Sequence, residues 1–184
     1  MLLAVDGIQV NRGTNNKGTT PLHLACHEDH LKVVEMLLAV DGIQVNQAGN
    51  DGWTPLNVAC QRNGHSMKVV KMLLAVDDIQ VNQANNNGRT PLHVACKNDH
   101  LKVVEMLLAV DNIQVNQANV DGRTPLNAAC RDDHLKVVKM LLAVDGIQVN
   151  QAKNNGFTPL HMACQEGHSK VVKMLLAVDG IQVN

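Results

Sequence analysis

The sequence predicts an all-α array of stacked helix pairs, and three observations predict it. The string MLLAVDGIQVN stands at residues 1–11, returns unchanged at 36–46, 140–150 and 174–184, and returns with one change at 72–82 (Asp78) and 106–116 (Asn112). A second phrase lies between the copies: TPLHLAC at 20–26, TPLNVAC at 54–60, TPLHVAC at 90–96, TPLNAAC at 124–130 and TPLHMAC at 158–164. Its threonines are 34, 36, 34 and 34 residues apart, and a fixed period of that length means a solenoid or array. Third, the apolar residues of one unit fit two short helices, which cannot bury their own apolar face; stacked units can, and about three or more are needed.

With the glycine before the phrase as the start, one repeat domain spans 1–184 as a half-unit, 1–17, and units 18–51, 52–87, 88–121, 122–155 and 156–184. The first unit shows the plan. Thr20 suits an N-cap, and Pro21 suits the first helical position, where its missing N–H costs nothing. Leu22, Ala25 and Cys26 share one face of a short helix, and the small Ala and Cys let a neighbour come close. HEDH at 27–30 breaks the run. A second helix follows, with Val33, Val34, Leu37 and Leu38 on a buried face and Lys32 and Glu35 outward. Asp41–Gly42 ends it, the glycine supplying a left-handed residue; Asp78 and Asn112, which stand there in two other units, tolerate that conformation better than most. IQVN is expected to be extended, and a polar turn such as QAGND leads to the next glycine.

Composition narrows the function. Aromatics are 1% of the chain (Trp53, Phe157, no tyrosine), so base-stacking on single-stranded nucleic acid lacks its platforms. The net charge of −1 gives no global pull toward nucleic acid or an anionic membrane. No stretch approaches the roughly 20 apolar residues of a transmembrane helix, and MLLAV has no basic region before it and is ended by Asp6, too short for a signal peptide. A soluble protein is expected.

The residues that could carry chemistry follow the repeat. Cys26, Cys60, Cys96, Cys130 and Cys164 occupy one position per unit. Stacked helices place such positions about 8–10 Å apart, beyond the roughly 7 Å a disulfide spans, so buried free thiols acting as small hydrophobes are expected, and with them a reducing, intracellular and cytoplasmic setting. Cys26 and His30 are four apart, as are Cys96 and His100, Cys130 and His134, and Cys164 and His168. Zinc needs four ligands around one point; each unit offers two, and Cys60–His65 breaks the spacing. No metal and no cofactor are expected. His23, His93 and His161 follow TPL, where Asn57 and Asn127 stand in the other units. Both residue types donate and accept, which suits a structural bond to the turn backbone and not a general base. Ser66 and Ser169 replace a leucine of other units. No nucleophile–base pair, phosphate loop or carboxylate pair departs from the repeat, so no catalytic residue and no enzymatic role are expected.

The pattern G-x-T-P-L-H-x-A, [DG]-H, V-V-x-x-L-L and V-N, five times over, resembles the ankyrin repeat. The resemblance implies a solenoid of antiparallel helix pairs with projecting β-hairpin loops, a structural role for the TPLH histidine, and a concave face lined by hairpins and first helices. These units run one residue longer than the family's usual length, through AVDGI. The second carries two extra residues in QRNGHSMK (61–68), and the first hairpin, RGTNNK (12–17), one. A non-catalytic protein–protein interaction module is expected, its partner a protein of unnamed identity, with no nucleic acid and no membrane insertion. Two alternatives stand: a regulatory or targeting segment of a larger enzyme or channel, suited by an array entered and left at one phase, or a self-stacking structural element.

Two series vary where the fold does not demand a residue. After the hairpin glycine stand Thr19, Trp53, Arg89, Arg123 and Phe157; after the cysteine stand His27, Gln61, Lys97, Arg131 and Gln165. By the resemblance both line the concave face. Trp53, Arg89, Arg123, Phe157, Gln61, Lys97, Arg131 and Gln165 are the candidate binding residues, since Trp and Arg are enriched at hot spots. The matching partner carries apolar side chains flanking an acidic stretch. Family arrays usually end in polar caps; here the leading MLLAV and the helix around Val172 and Leu176 lack them, so loss of order and end-to-end self-association are expected at the ends. Asn46, Asn82, Asn116 and Asn150 match the family's site for an asparaginyl hydroxylase, with Leu38, Leu74, Leu108 and Leu142 eight residues upstream; a hairpin asparagine bonding its own turn is the simpler role.

Overall fold

The structure is a computed structural model that describes residues 8–62 and 67–183. The expectations placed on MLLAV, on order at the N-terminal end, on His65 and on Ser66 lie outside the described residues. Among the described residues there are ten helices in five pairs: α1 (Pro21–His27) with α2 (Leu31–Leu38), α3 (Pro55–Gln61) with α4 (Met67–Leu74), α5 (Pro91–Lys97) with α6 (Leu101–Leu108), α7 (Pro125–Arg131) with α8 (Leu135–Leu142), and α9 (Pro159–Gln165) with α10 (Ser169–Leu176). The chain divides into two compact units, residues 1–80, carrying α1–α4, and residues 81–184, carrying α5–α10.

The first helices start as the sequence predicts. Thr20, Thr54, Thr90, Thr124 and Thr158 are N-caps whose hydroxyls accept the N–H three residues on, with proline in the first turn of each helix. The residue three after the threonine closes the box from its own side chain: Thr90 N–H donates to His93 Nδ1 at 3.2 Å, and Thr54 N–H to Asn57 Oδ1 at 3.0 Å. Histidine and asparagine alternate there because each offers an acceptor at that reach.

Stacking then builds two layers. In the first unit α1 packs on α3 and α2 on α4; in the second α5, α7 and α9 form one layer and α6, α8 and α10 the other. Leu22, Leu56, Leu92 and Leu126 are fully buried, as are Val69, Val70, Leu73, Val104, Leu107, Val137, Val138 and Leu141. The first second-layer helix departs from the expected face. Val34 is buried, but Leu37 and Leu38 are half-buried and Val33 is 44% exposed. α2 packs on α1 and α4, and neither covers the Val33 face. The expectation of buried thiols is corrected in the same way at one site. All five cysteines are free and four are buried, but Cys164 is exposed, on a face of α9 that neither α7 nor α10 covers.

The connections carry turns and no strand among the described residues. Each polar hairpin is closed by one backbone bond: Gly49 to Trp53 (2.9 Å), Asn85 to Arg89 (3.0 Å), Asn119 to Arg123 (2.9 Å) and Lys153 to Phe157 (2.9 Å), N–H to carbonyl. IQVN is not extended. The Gln47 N–H folds back on the Gln44 carbonyl at 3.2 Å, and the asparagine amide is committed elsewhere, as described below. After the second helices Gly42 and Gly146 take φ of 76° and Asn112 takes 62°, as expected, whereas Asp78 does not enter the left-handed region. That region is used instead in the turn between paired helices, by Asp29, Asp99 and Asp133 at φ 56–57°, where a short polar side chain eases the strain. Among the described residues no helix is long and apolar enough to cross a membrane.

Candidate partner-binding surfaces

At four positions of the two variable series, Trp53, Lys97, Arg123 and Arg131, a histidine holds the backbone carbonyl. In the first unit the His23 ring accepts from Thr20 at Nδ1 and donates from Nε2 to the Trp53 carbonyl at 2.8 Å. In the second unit His93 Nε2 donates to the Arg123 carbonyl at 2.9 Å. Burial lowers both imidazole pKa values, against the carbonyl bond that raises them; for His93 the value is pushed down to about 4. Both rings are therefore neutral, with the proton on Nε2. The second histidine series reaches the other variable positions: His134 Nε2 donates to the Lys97 carbonyl and His168 Nε2 to the Arg131 carbonyl, each at 2.8 Å. These are the histidines of two of the four Cys–His pairs, and the Nε2 of each staples one repeat to the next. Among the described residues no group of three or more His, Cys, Asp or Glu is placed to hold a metal ion.

In the first unit Trp53 is half-buried and Gln61 exposed. They share a groove of about 480 Å³ with Lys17, Leu24, Val58 and Glu28. Leu24, which sequence reading passed over, is 53% exposed. The signal was present: it occupies the free position of TPLHxAC, where Val94 and Met162 are buried in the second unit. The groove is electrically mixed, with Lys17 against Glu28 and Asp51. The His27 hydrogen bond, 2.6 Å from Nδ1 to Glu28 Oε1, is the main cause holding the Glu28 carboxyl below its usual range.

In the second unit Arg89, His93, Lys97, Asn119, Arg123 and Arg131 line one small cleft of about 30 Å³. Arg89 and Arg123 are half-buried and Lys97 is exposed. Arg131 is already paired: Nε and a terminal nitrogen donate to the two Asp132 oxygens at 2.6 and 2.7 Å. That bond is the main cause raising the Arg131 pKa. Burial works to raise the Asp132 carboxyl, but the Arg131 bonds and charge prevail and hold it low. Arg89, Lys97 and Arg123 form no ion pair among the described residues. Phe157 stands half-buried, its ring 5.6 Å from the His161 ring with Lys153 Nζ 5.0 Å from its centroid. Gln165 is exposed.

The candidate hydroxylation residues are placed differently from a residue bonding its own turn. Asn46 Nδ2 donates to the Asp78 carbonyl (2.7 Å) while its Oδ1 accepts the Gln80 N–H (2.9 Å). Asn82 bridges in the same way to Asn112 and Gln114, Asn116 to Gly146 and Gln148, and Asn150 to Gly180 and Gln182. Asn11, not singled out from sequence, does the same to Gly42 and Gln44. Each amide thus spans to the following repeat, and this pull bends IQVN into a turn.

Two family models match the chain. One, described as ankyrin repeats in three copies, matches residues 40–119 and 111–184; the other, a single ankyrin repeat, matches residues 17–50. No curated protein matches the chain.

Proposed function

The chain belongs to the ankyrin repeat family, and we propose that it is a non-catalytic protein-interaction module whose partner docks on side chains of the hairpin bases and first helices. The observation that carries this reading is the division of labour at the variable positions. The carbonyls of Trp53, Lys97, Arg123 and Arg131 are held by histidines of neighbouring repeats, so the backbone there is rigid whatever the side chain. A side chain free to vary on a fixed backbone is what a recognition surface needs. The first unit offers an apolar groove around Trp53 and Leu24, and the second offers Arg89, Lys97 and Arg123 together with Phe157. A partner with apolar side chains flanking an acidic stretch fits those chemistries.

Capture of a partner from extract by the immobilised chain tests this. Replacing Trp53, Arg89, Arg123 and Phe157 together by alanine abolishes capture and leaves the melting temperature nearly unchanged. Undiminished capture overturns the placement and moves the contact to the hairpin tips around Asn50, Asn86, Val120 and Asn154.

A second reading has its own observation. On α10 Leu176 is 51% exposed and Val172 half-buried, while Val34, Val104 and Val138, which match Val172 in other repeats, are fully buried. This uncovered face favours self-association of copies of the chain.

A further inference from the structure

We infer that the cleft of the second unit is a built site for one carboxylate, an aspartate or glutamate side chain of the bound protein, and that Arg123 reads it. The inference rests on the reading that this face binds a protein, and it replaces a diffuse basic patch by a discrete contact. Four cations and no acid line the cleft: Arg89, Lys97, Arg123 and Arg131. They do not contribute alike. Arg131 spends its fork on Asp132, so its charge is answered within the chain. Arg123 is the opposite case. Its Nε is buried without any acceptor, and a buried donor left unmade is unfavourable until an acceptor arrives.

The cleft is small, about 30 Å³, and the donor geometry selects the ligand. Arginine presents parallel N–H donors that match a carboxylate two-to-two, and Arg123 has its Nε–H still to pair. Arg89, at the equivalent position one repeat earlier, supplies further charge, and Lys97 adds the part that the nearby Asp132 does not answer. His93 adds none, being a neutral ring already committed at both nitrogens. The first unit has no counterpart: the same two positions hold Trp53 and Gln61, and Glu28 and Asp51 lie in the groove.

The test uses the full chain, ¹⁵N-labelled, and a blocked hexapeptide of glutamate as probe, with the glutamine hexapeptide as uncharged control and inorganic phosphate as competing anion. The arginine Nε–H resonances are followed, and that of Arg123 is identified by its disappearance in Arg123→Lys. The glutamate peptide shifts the Arg123 and Arg89 signals saturably and the glutamine peptide does not. Arg123→Lys weakens the peptide at least tenfold, and Arg131→Lys changes it by less than twofold, with circular dichroism confirming that both variants fold. Equal losses for Arg123→Lys and Arg131→Lys, tighter binding by phosphate than by the peptide, or no shift at Arg123 each overturn the carboxylate site. Partner capture that survives Arg123→Lys but not the fourfold alanine variant overturns this site and leaves the interaction module standing.

Discussion

His93→Asn separates the two duties of the cap histidine by pH. His93 is 4% exposed, and burial pushes its pKa down to about 4, from 6.5 in the unfolded chain. A depressed folded pKa means that the unfolded state takes up the proton first as pH falls. Stability is therefore present above pH 6.5 and is lost on acidification through the window down to about 4. Between pH 6.5 and 5 the two states diverge by about 1.5 pK units, worth about 2 kcal/mol at 1.36 kcal/mol per unit, and about 3 kcal/mol is lost once pH falls below the folded value. Asparagine at this position keeps the cap, as Asn57 and Asn127 do with Thr54 and Thr124, and does not titrate. It forgoes the 2.9 Å bond to the Arg123 carbonyl, a loss of about 1 kcal/mol. The variant is thus less stable than the parent by about 1 kcal/mol near neutrality and more stable by about 1 kcal/mol at pH 5. Urea titrations by far-UV circular dichroism at the two pH values read both numbers, with equal m-values as the check that only stability has changed. The other histidines are common to both proteins and cancel. Parallel pH profiles, with no crossing, refute the assignment of a neutral, Nε2-protonated His93.

Other outcomes follow from single sites. Gly122 and Gly146 share φ of 76°, but a Cβ on Gly122 lies 2.6 Å from the Asn154 backbone nitrogen and one on Gly146 meets nothing within 4 Å; Gly146→Ala costs about 1–2 kcal/mol of left-handed strain, and Gly122→Ala at least about 1 kcal/mol more, a ranking that urea titration checks and that equal losses would contradict. Burial pushes the Cys26 and Cys130 thiols up to about 12, so iodoacetamide labels the exposed Cys164 alone in the native chain, and mass spectrometry showing Cys26 modified first overturns the burial pattern. Light scattering across a concentration series shows association that Leu176→Glu removes; a monomer at every concentration ends the self-association reading. Both atoms of each bridging amide are held by the following repeat, so exposure of the folded chain to an asparaginyl hydroxylase is expected to add no oxygen to Asn46, Asn82, Asn116 or Asn150, and a gain in intact mass refutes that protection.

The sequence by itself determined everything that local chemistry repeats: ten helix positions, threonine caps, proline at the first turn and the pairing of helices. These rest on contacts within one unit, the caps between residues three apart and the pairing between adjacent helices, and the period displays them five times. Tertiary structure decided what depends on a neighbour. Val33 and Cys164 carry the same letters as their counterparts and differ in exposure because burial is a property of the packed surface and not of the residue. IQVN looks extended as a string and bends because its asparagine finds partners some 30 residues on. Variation along the repeat brought Arg89, Lys97, Arg123 and Arg131 to notice as equals. Only the folded side chains distinguish Arg131, neutralised by its neighbour Asp132, from Arg123, whose buried nitrogen has no acceptor. A charge is legible in sequence; whether it is already answered is settled by geometry, because an ion pair is lost within a few ångströms.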